Sequence, residues 1–266
     1  LTLASSRHGL TGENPSVGCV IVKNDKIISI GQTGYNGRPH AEYNAIKNSN
    51  ENLEGSTMYI TLEPCNHYGQ TPPCTKEIIK NKISKVIYSI EDVDEKVKGK
   101  SFKILKSKDV TIKKGLLHKI IIDFYKPYFF NRKNKIPYVT GKIAVSKNNL
   151  IYSKEKKKIT DIHSDKLSHF LRYKNDSLMI SYKTLNQDNP KLDCRLEGLS
   201  KFSPKRIILD NKLETNISSH IFRSAKKGNT IIFYNNANKK KITLFKKKSI
   251  QLIKSSLIKK RYFDLK

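Results

Sequence analysis

Apolar positions in the first half of the chain gather into short β-branched runs that alternate with stretches of helical spacing. Residues 17–22 and 27–30 are two such runs, parted by the turn Lys23-Asn24-Asp25-Lys26, and they predict a β-hairpin. Residues 57–61 and 86–90 add two strands. Helices are expected over 41–47, 75–81, 101–106 and 116–125, the last with Leu116, Leu117, Ile120, Ile121 and Phe124 on one side. Residues 1–7 read as the end of a helix that starts upstream, and 31–38 as a glycine-containing loop. The polar, charged run 131–135 is the best linker candidate, which sets domains at 1–134 and 135–266. Beyond it the alternation restarts, with strands at 138–145, 178–180, 206–209, 230–233 and 250–253. A helix is expected over 162–172, and 262–265 read as the opening of another. Strands alternating with helices predict an α/β fold, its sheets covered by helices. No internal repeat relates the two halves.

Composition changes this picture little. A chain of 266 residues is long enough for two ordinary cores. No apolar run approaches the roughly 20 residues of a membrane span, so no membrane partner is expected and the cytoplasm is the default location. Four cysteines in a chain this long make no disulfide framework.

The charge is extreme, 52 basic against 23 acidic side chains, net +29. It is also uneven. Residues 1–134 hold 21 basic and 13 acidic side chains, and residues 135–266 hold 31 and 10, with runs at 239–241, 246–248 and 259–261. The excess is almost all Lys amid abundant Asn and Ile, which reads as compositional drift giving a solvated, lysine-rich surface. A nucleic-acid partner is therefore disfavoured, although a basic nucleic-acid-binding zinc protein stands as the alternative from another class.

One stretch carries chemistry. His40-Ala41-Glu42 is followed by Pro64-Cys65 and, after eight intervening residues, by Cys74. A zinc ion held by His40, Cys65 and Cys74 keeps a fourth position for water, the layout of a catalytic site; structural sites usually recruit four protein ligands with a tight cysteine pair. His67 is the one local rival and is read as a loop residue. Zinc lowers the pKa of its water from roughly 16 to roughly 7. Glu42 is placed to take that water's proton and to deliver it to a ring nitrogen, then to the departing amine. The reaction is hydrolytic deamination of an amino-substituted ring. Zinc deaminases of nucleobases share H-x-E and P-C but close with a tight P-C-x-x-C, unlike this chain. Cys19, in a predicted strand, is expected to be a buried apolar residue.

At these residues the chain resembles a known family. Asn14-Pro-Ser-Val-Gly-Cys-Val20, His40-Ala-Glu42, Thr61-Leu-Glu-Pro-Cys65 and His67-Tyr-Gly-Gln-Thr-Pro-Pro-Cys74 are similar to the bifunctional riboflavin-biosynthesis deaminase/reductase. The similarity continues through residues 171–195 and 206–210, so it covers nearly the whole chain. It implies a cytidine-deaminase-like α/β/α domain followed by a dihydrofolate-reductase-like α/β domain. The implied reactions are deamination of a phosphoribosylated diaminopyrimidine and NADPH-dependent reduction of its ribosyl to a ribityl chain. A homo-oligomer is implied as well. Residue by residue, His40, Cys65 and Cys74 would hold zinc, Glu42 would move protons and Asn14 would contact the substrate sugar. In the second half Arg172, Leu192 and Arg195 match substrate-contacting positions, the two Arg suiting a phosphate. Ala144, Thr184, Asp188 and Asn211 match positions lining the NADPH site. Cys194 is read as a loop thiol.

The chain also departs from the pattern. Gln70 stands where the family usually carries a basic residue, Ser146-Lys147-Asn148-Asn149 where it tends to have S-x-D-G, and Lys158 where an aromatic is common. The family's C-terminal E-G-G segment does not occur before Lys266. The deaminase half is thus expected to be competent and the reductase half incomplete, and a chain active only as a deaminase is the alternative among enzymes.

Overall fold

The structure, a computed structural model, describes residues 1–69, 71–151, 159–259 and 262–264. Its chain separates into two compact units, Leu1–Gly141 and Lys142–Lys266. Gln70 and Lys158 lie outside the described residues, as does the Leu265 end of the helix expected over 262–265.

In the first unit a short helix α1 (Thr2–Arg7) precedes the hairpin β1 (Gly18–Lys23) and β2 (Lys26–Gln32). Asn24 and Asp25, both at positive φ, close its turn, a conformation that Asn and Asp tolerate better than most side chains. Then come α2 (Ala41–Lys47), β3 (Thr57–Ile60), α3 (Cys74–Lys80), β4 (Lys85–Tyr88), α4 (Lys100–Lys106), β5 (Thr111–Lys114) and α5 (His118–Asn134). The sheet runs β2-β1-β3-β4-β5. β1 is antiparallel to both neighbours, whereas β3, β4 and β5 are parallel. Its core joins Cys19, Ile21, Met58 and Val86 from the strands to Ala45, Ile78, Leu105, Ile121 and Tyr125 from the helices.

The second unit holds α6 (Ile162–Tyr173), β6 (Ser177–Ser181), α7 (Tyr182–Asp188), β7 (Lys205–Leu209), α8 (His220–Arg223), β8 (Thr230–Tyr234), α9 (Lys239–Lys247) and β9 (Gln251–Lys254). β6-β7-β8-β9 form an all-parallel sheet in sequence order. Leu185 of α7, Phe222 of α8 and Phe245 of α9 meet Ile208 and Ile232 of the strands in one core. Strands β10 (Leu257–Ile258) and β11 (Tyr262–Phe263) pair antiparallel.

Several elements differ from the sequence reading, among them α7, α8 and α9, which it did not include. The run 138–145 forms no strand: it pairs with none of β6–β9, and Val139 and Ile143 are 81% and 70% exposed. Alternating apolar residues make a strand only where a neighbour offers its backbone. Residues 262–263 are β11 rather than the start of a helix, because Asp264 N–H bonds the Ser256 carbonyl (3.0 Å) and fixes an extended return. α5 runs through Pro127 into the expected linker and stops at Lys135, whose φ is 60°. Tyr125, Tyr128 and Phe129 contact one another along it, and Arg132 and Lys133 suit the negative end of a helix dipole. β5 escaped the reading because its four residues Thr-Ile-Lys-Lys offer one apolar side chain.

Candidate active sites

Two helix N-termini and one strand end assemble the zinc motif. His40 is the N-cap of α2, Glu42 lies in that helix's first turn, and Cys74 opens α3. The positive end of a helix favours both a carboxylate and a thiolate. Cys65 follows β3 on a stretch tied down at several points. Glu63 N–H bonds the Ile90 carbonyl (2.9 Å), Glu63 Oε2 accepts from the N–H groups of Asp92 and Gly99, and Thr75 N–H bonds the Cys65 carbonyl (3.1 Å). Beneath them Tyr125 donates to the Ser16 carbonyl (2.8 Å) and contacts Thr61 Oγ1 (2.7 Å), which accepts from Gly18 N–H.

Helix α2 lies flat on the sheet because Gly31 of β2 has no side chain: a Cβ there would collide with the Ala41 carbonyl and the Ala45 backbone. Asn44 Nδ2 donates to the Gln32 carbonyl (2.8 Å) and Asn48 Nδ2 to that of Ile30 (3.3 Å), stitching the helix to the strand.

The result is a triangle. His40 Nδ1 stands 3.4 Å from Cys65 Sγ and 3.4 Å from Cys74 Sγ, and the three atoms all lie within 4.8 Å of one another. Tetrahedral zinc, with bonds near 2.0 Å to nitrogen and 2.3 Å to sulfur, sets an N···S separation of about 3.5 Å. The donor set therefore fits zinc. Among the described residues no other His, Cys, Asp or Glu group meets the geometry for a metal, and His67 stays outside this one. The Cys74 thiol hydrogen-bonds the Cys65 sulfur and, against burial, brings the Cys65 thiol down to about 4, while the same hydrogen bond and burial move the Cys74 thiol up. Burial pulls the His40 imidazole down, but the Cys65 sulfur and the Glu42 carboxylate outweigh it.

Glu42 is buried, and that burial raises its carboxyl above the ordinary carboxylate range. A cleft of about 230 Å³ opens over these groups, lined among others by Asn14, Arg38, His40, Glu42, Cys65, His67 and Arg132. Asn14 is pressed against Gly37, φ 84°, where a side chain would strike its amide. Cys19 is fully buried, as expected, and burial drives its thiol up.

In the second unit Arg172 Nη1 donates to the Asp193 carbonyl (3.0 Å), and Arg195 Nη1 pairs with the Asp193 carboxylate (3.6 Å). Leu192, at φ 56°, is buried in the same turn. The structure thus gathers Arg172, Leu192 and Arg195. It adds His169, which the sequence reading missed: its Nδ1 accepts Arg195 N–H (3.1 Å) and contacts Arg172 Nη1 (3.4 Å), and its Nε2 faces Arg195 Nη2 (3.2 Å). The three-residue spacing to Arg172 on one helix face was the available signal. Cys194 lies in this loop, as expected, and is buried.

Thr184 and Asp188 follow β6 on α7, and Asn211 follows β7. All three stand beyond the carboxyl ends of parallel strands, where open α/β sheets bind ligands. Among the described residues Asn211 Oδ1 is buried without a partner, while its carbonyl accepts the N–H groups of Asn235 and Asn236 after β8. A dinucleotide's polar edge would satisfy such an atom, so these residues fit NADPH. Ala144 lies instead in the irregular stretch before Ser146. The Ser146–Asn149 turn closes normally: Asn149, at φ 61°, takes a left-handed conformation that Asn tolerates, and its N–H bonds the Ser146 carbonyl (2.9 Å).

Comparison with known proteins agrees with this geometry. Residues 1–90 match the cytidine and deoxycytidylate deaminase zinc-binding region, and residues 138–266 match the RibD C-terminal domain. The riboflavin biosynthesis protein RibD of Aquifex aeolicus is 33% identical over 255 residues, 95% of this chain and 71% of that protein. The RibD protein of Bacillus amyloliquefaciens is 35% identical over 215 residues, 80% of this chain and 58% of its own length. A crystal structure of a diaminohydroxyphosphoribosylaminopyrimidine deaminase/5-amino-6-(5-phosphoribosylamino)uracil reductase from Thermotoga maritima superposes with a TM-score of 0.81 at 28% identity, covering 94% of this chain and 77% of that one. The chain thus spans roughly three fifths to three quarters of these relatives. With both halves matched in order and a relative 33% identical over 95% of this sequence, the chain belongs to the RibD family of riboflavin biosynthesis, enzymes that join a zinc-dependent deaminase to an NADPH-dependent reductase.

Proposed function

We propose that this chain is a cytoplasmic enzyme that deaminates a phosphoribosylated diaminopyrimidine in its first unit and reduces the product's ribose with NADPH in its second. The observation that carries the reading is the His40–Cys65–Cys74 triangle with the buried Glu42 beside it at the floor of one cleft. Zinc, when bound by those three residues, supplies a Lewis acid and a water of lowered pKa. The remaining work falls to the chain. Glu42 takes one proton of the attacking water and gives it to the ring nitrogen; it then takes the second from the hydroxyl so added to the ring carbon and delivers it to the departing amine. A carboxyl held above its ordinary range by burial suits both directions of transfer. Asn14, fixed by Gly37, contacts the sugar.

In the second unit the guanidinium groups of Arg172 and Arg195 bind the substrate phosphate, with Leu192 against the substrate. Thr184, Asp188 and Asn211 line the cofactor edge, joined by Ala144. The domain boundary follows α5, near residue 135. A second reading, deaminase activity alone, draws on the exposed stretch 138–145 that carries Ala144. Among the described residues no helix is long and apolar enough to cross a membrane. Ammonia release separates the alternatives: the purified chain is expected to deaminate the pyrimidine nucleotide and to leave single-stranded DNA and RNA untouched. Ammonia from a polynucleotide but not from the nucleotide would overturn the reading. NADPH oxidation on adding the deaminated product supports the two-activity form, and its absence supports deaminase activity alone.

A further inference from the structure

Arg38 is the arginine of the deaminase cleft whose side chain hydrogen-bonds a neutral hydroxyl. Its Nη1 donates to Thr71 Oγ1 (2.9 Å), and a Cβ on Gly69 would stand 3.0 Å from its Nη2, so the guanidinium rests on the Gly69 and Thr71 side of the Cys65–Cys74 loop. Among the described residues it forms no ion pair. A guanidinium carries five N–H donors in a planar fork, and among the described residues one of Arg38's is hydrogen-bonded. The backbone that presents it is tightly set: a side chain at Gly34 would collide with the Arg38 carbonyl, and Gly37 is packed on Asn14. The other cleft arginine is differently engaged. Arg132 Nη2 donates to the Glu13 carbonyl (2.7 Å), and its guanidinium lies 5.4 Å from the centre of the Tyr128 ring. Of the cleft's acids, Glu63 Oε2 accepts the N–H groups of Asp92 and Gly99, and Asp92 accepts from Asp94 N–H and Tyr128; among the described residues neither forms an ion pair with Arg38.

We propose that Arg38 is the specificity residue of the deaminase site, gripping the phosphate of the phosphoribosyl substrate and selecting the nucleotide over the free riboside. This rests on the reading of the cleft as a phosphoribosyl-aminopyrimidine deaminase. A guanidinium grips a phosphate through paired, charge-assisted hydrogen bonds. Backing it with a hydroxyl and a glycine backbone leaves its charge for the ligand. Arg38 stands two residues before His40, so a phosphate held there is indexed to the zinc triangle by a short, buttressed turn.

The test compares ammonia release from the phosphoribosyl diaminopyrimidine and from its dephosphorylated riboside by the wild-type chain, Arg38→Gln and Arg38→Lys, with zinc content measured on each. Removing a charge-assisted contact should cut the nucleotide-over-riboside ratio of kcat/KM at least about tenfold in Arg38→Gln, chiefly through KM. Arg38→Lys, which keeps the charge without the fork, should fall between. An unchanged ratio in both variants, or equal losses on both compounds at full zinc occupancy, would overturn the proposal. If the wild-type chain deaminates neither compound, the underlying reading fails. Arg38 is then judged by calorimetric binding of ribose 5-phosphate to a chain carrying Arg172→Ala and Arg195→Ala: loss of binding in Arg38→Gln supports it, and equal binding overturns it.

Discussion

His169 shows how a single side chain can organise a site without announcing itself in sequence. Its ring touches both candidate phosphate arginines, and three donors converge on its two nitrogens. Burial first and the Arg172 and Arg195 charges second keep its pKa below the ordinary imidazole value. The sign follows: the neutral ring contributes its full share to stability above the ordinary imidazole pKa of about 6.5, and that share is lost as the pH falls through that value toward the lowered one. The urea midpoint of the second unit should therefore drop more between about pH 7.5 and 5.5 in the wild-type chain than in His169→Gln. Parallel curves would remove His169 from the site. The zinc residues were legible because their types and spacing have one common explanation. His169 was not, being one imidazole in a helix with no motif around it. Asn211 stood between, named by resemblance alone, and it is its buried Oδ1, partnerless among the described residues, that gives the assignment a physical basis.

At the scale of elements, the deaminase site depends on how closely α2 can approach β2. Gly31→Ala would press a methyl into the Ala41 carbonyl and the Ala45 amide, lifting the helix that carries Glu42. Overpacking of this kind costs typically 1–3 kcal/mol, about what the variant should lose in chemical denaturation. It should also bind zinc more weakly, because His40 caps the displaced helix. Unchanged stability and zinc affinity would show that β2 and α2 are free to separate. Elements with strong periodicity or turn chemistry were readable: the β1–β2 hairpin, α2, α3 and the strands β6 to β9. Those missed have physical reasons. β5 has one apolar residue in four, and α9 hides in a lysine run whose Phe245 alone is buried. Residues 138–145 carry a strand's pattern but pair with no strand among the described residues, and periodicity reports burial preference, not the presence of a neighbour.

For the whole molecule, the +29 charge and the zinc motif fall in different parts of the chain. The lysines that produce it concentrate in the second half, while the chemistry that sequence and structure agree on is a half-buried triangle in the first. Because zinc would clamp three points that lie far apart in sequence, metal removal should act on that unit. Chelation is expected to lower the melting transition of the first unit by several degrees and to leave a transition of the second in place. A shift of both, or of neither, would contradict a site confined to residues 40–74.

The central claim, that Glu42 moves the protons of a zinc-dependent deamination, is tested most directly by one paired assay. Wild-type chain and Glu42→Gln are each loaded with zinc, the metal content is measured, and ammonia release from the phosphoribosyl diaminopyrimidine is followed. Equal zinc with turnover reduced about 10²–10⁴-fold in Glu42→Gln is the predicted result. Equal zinc with equal turnover would contradict it.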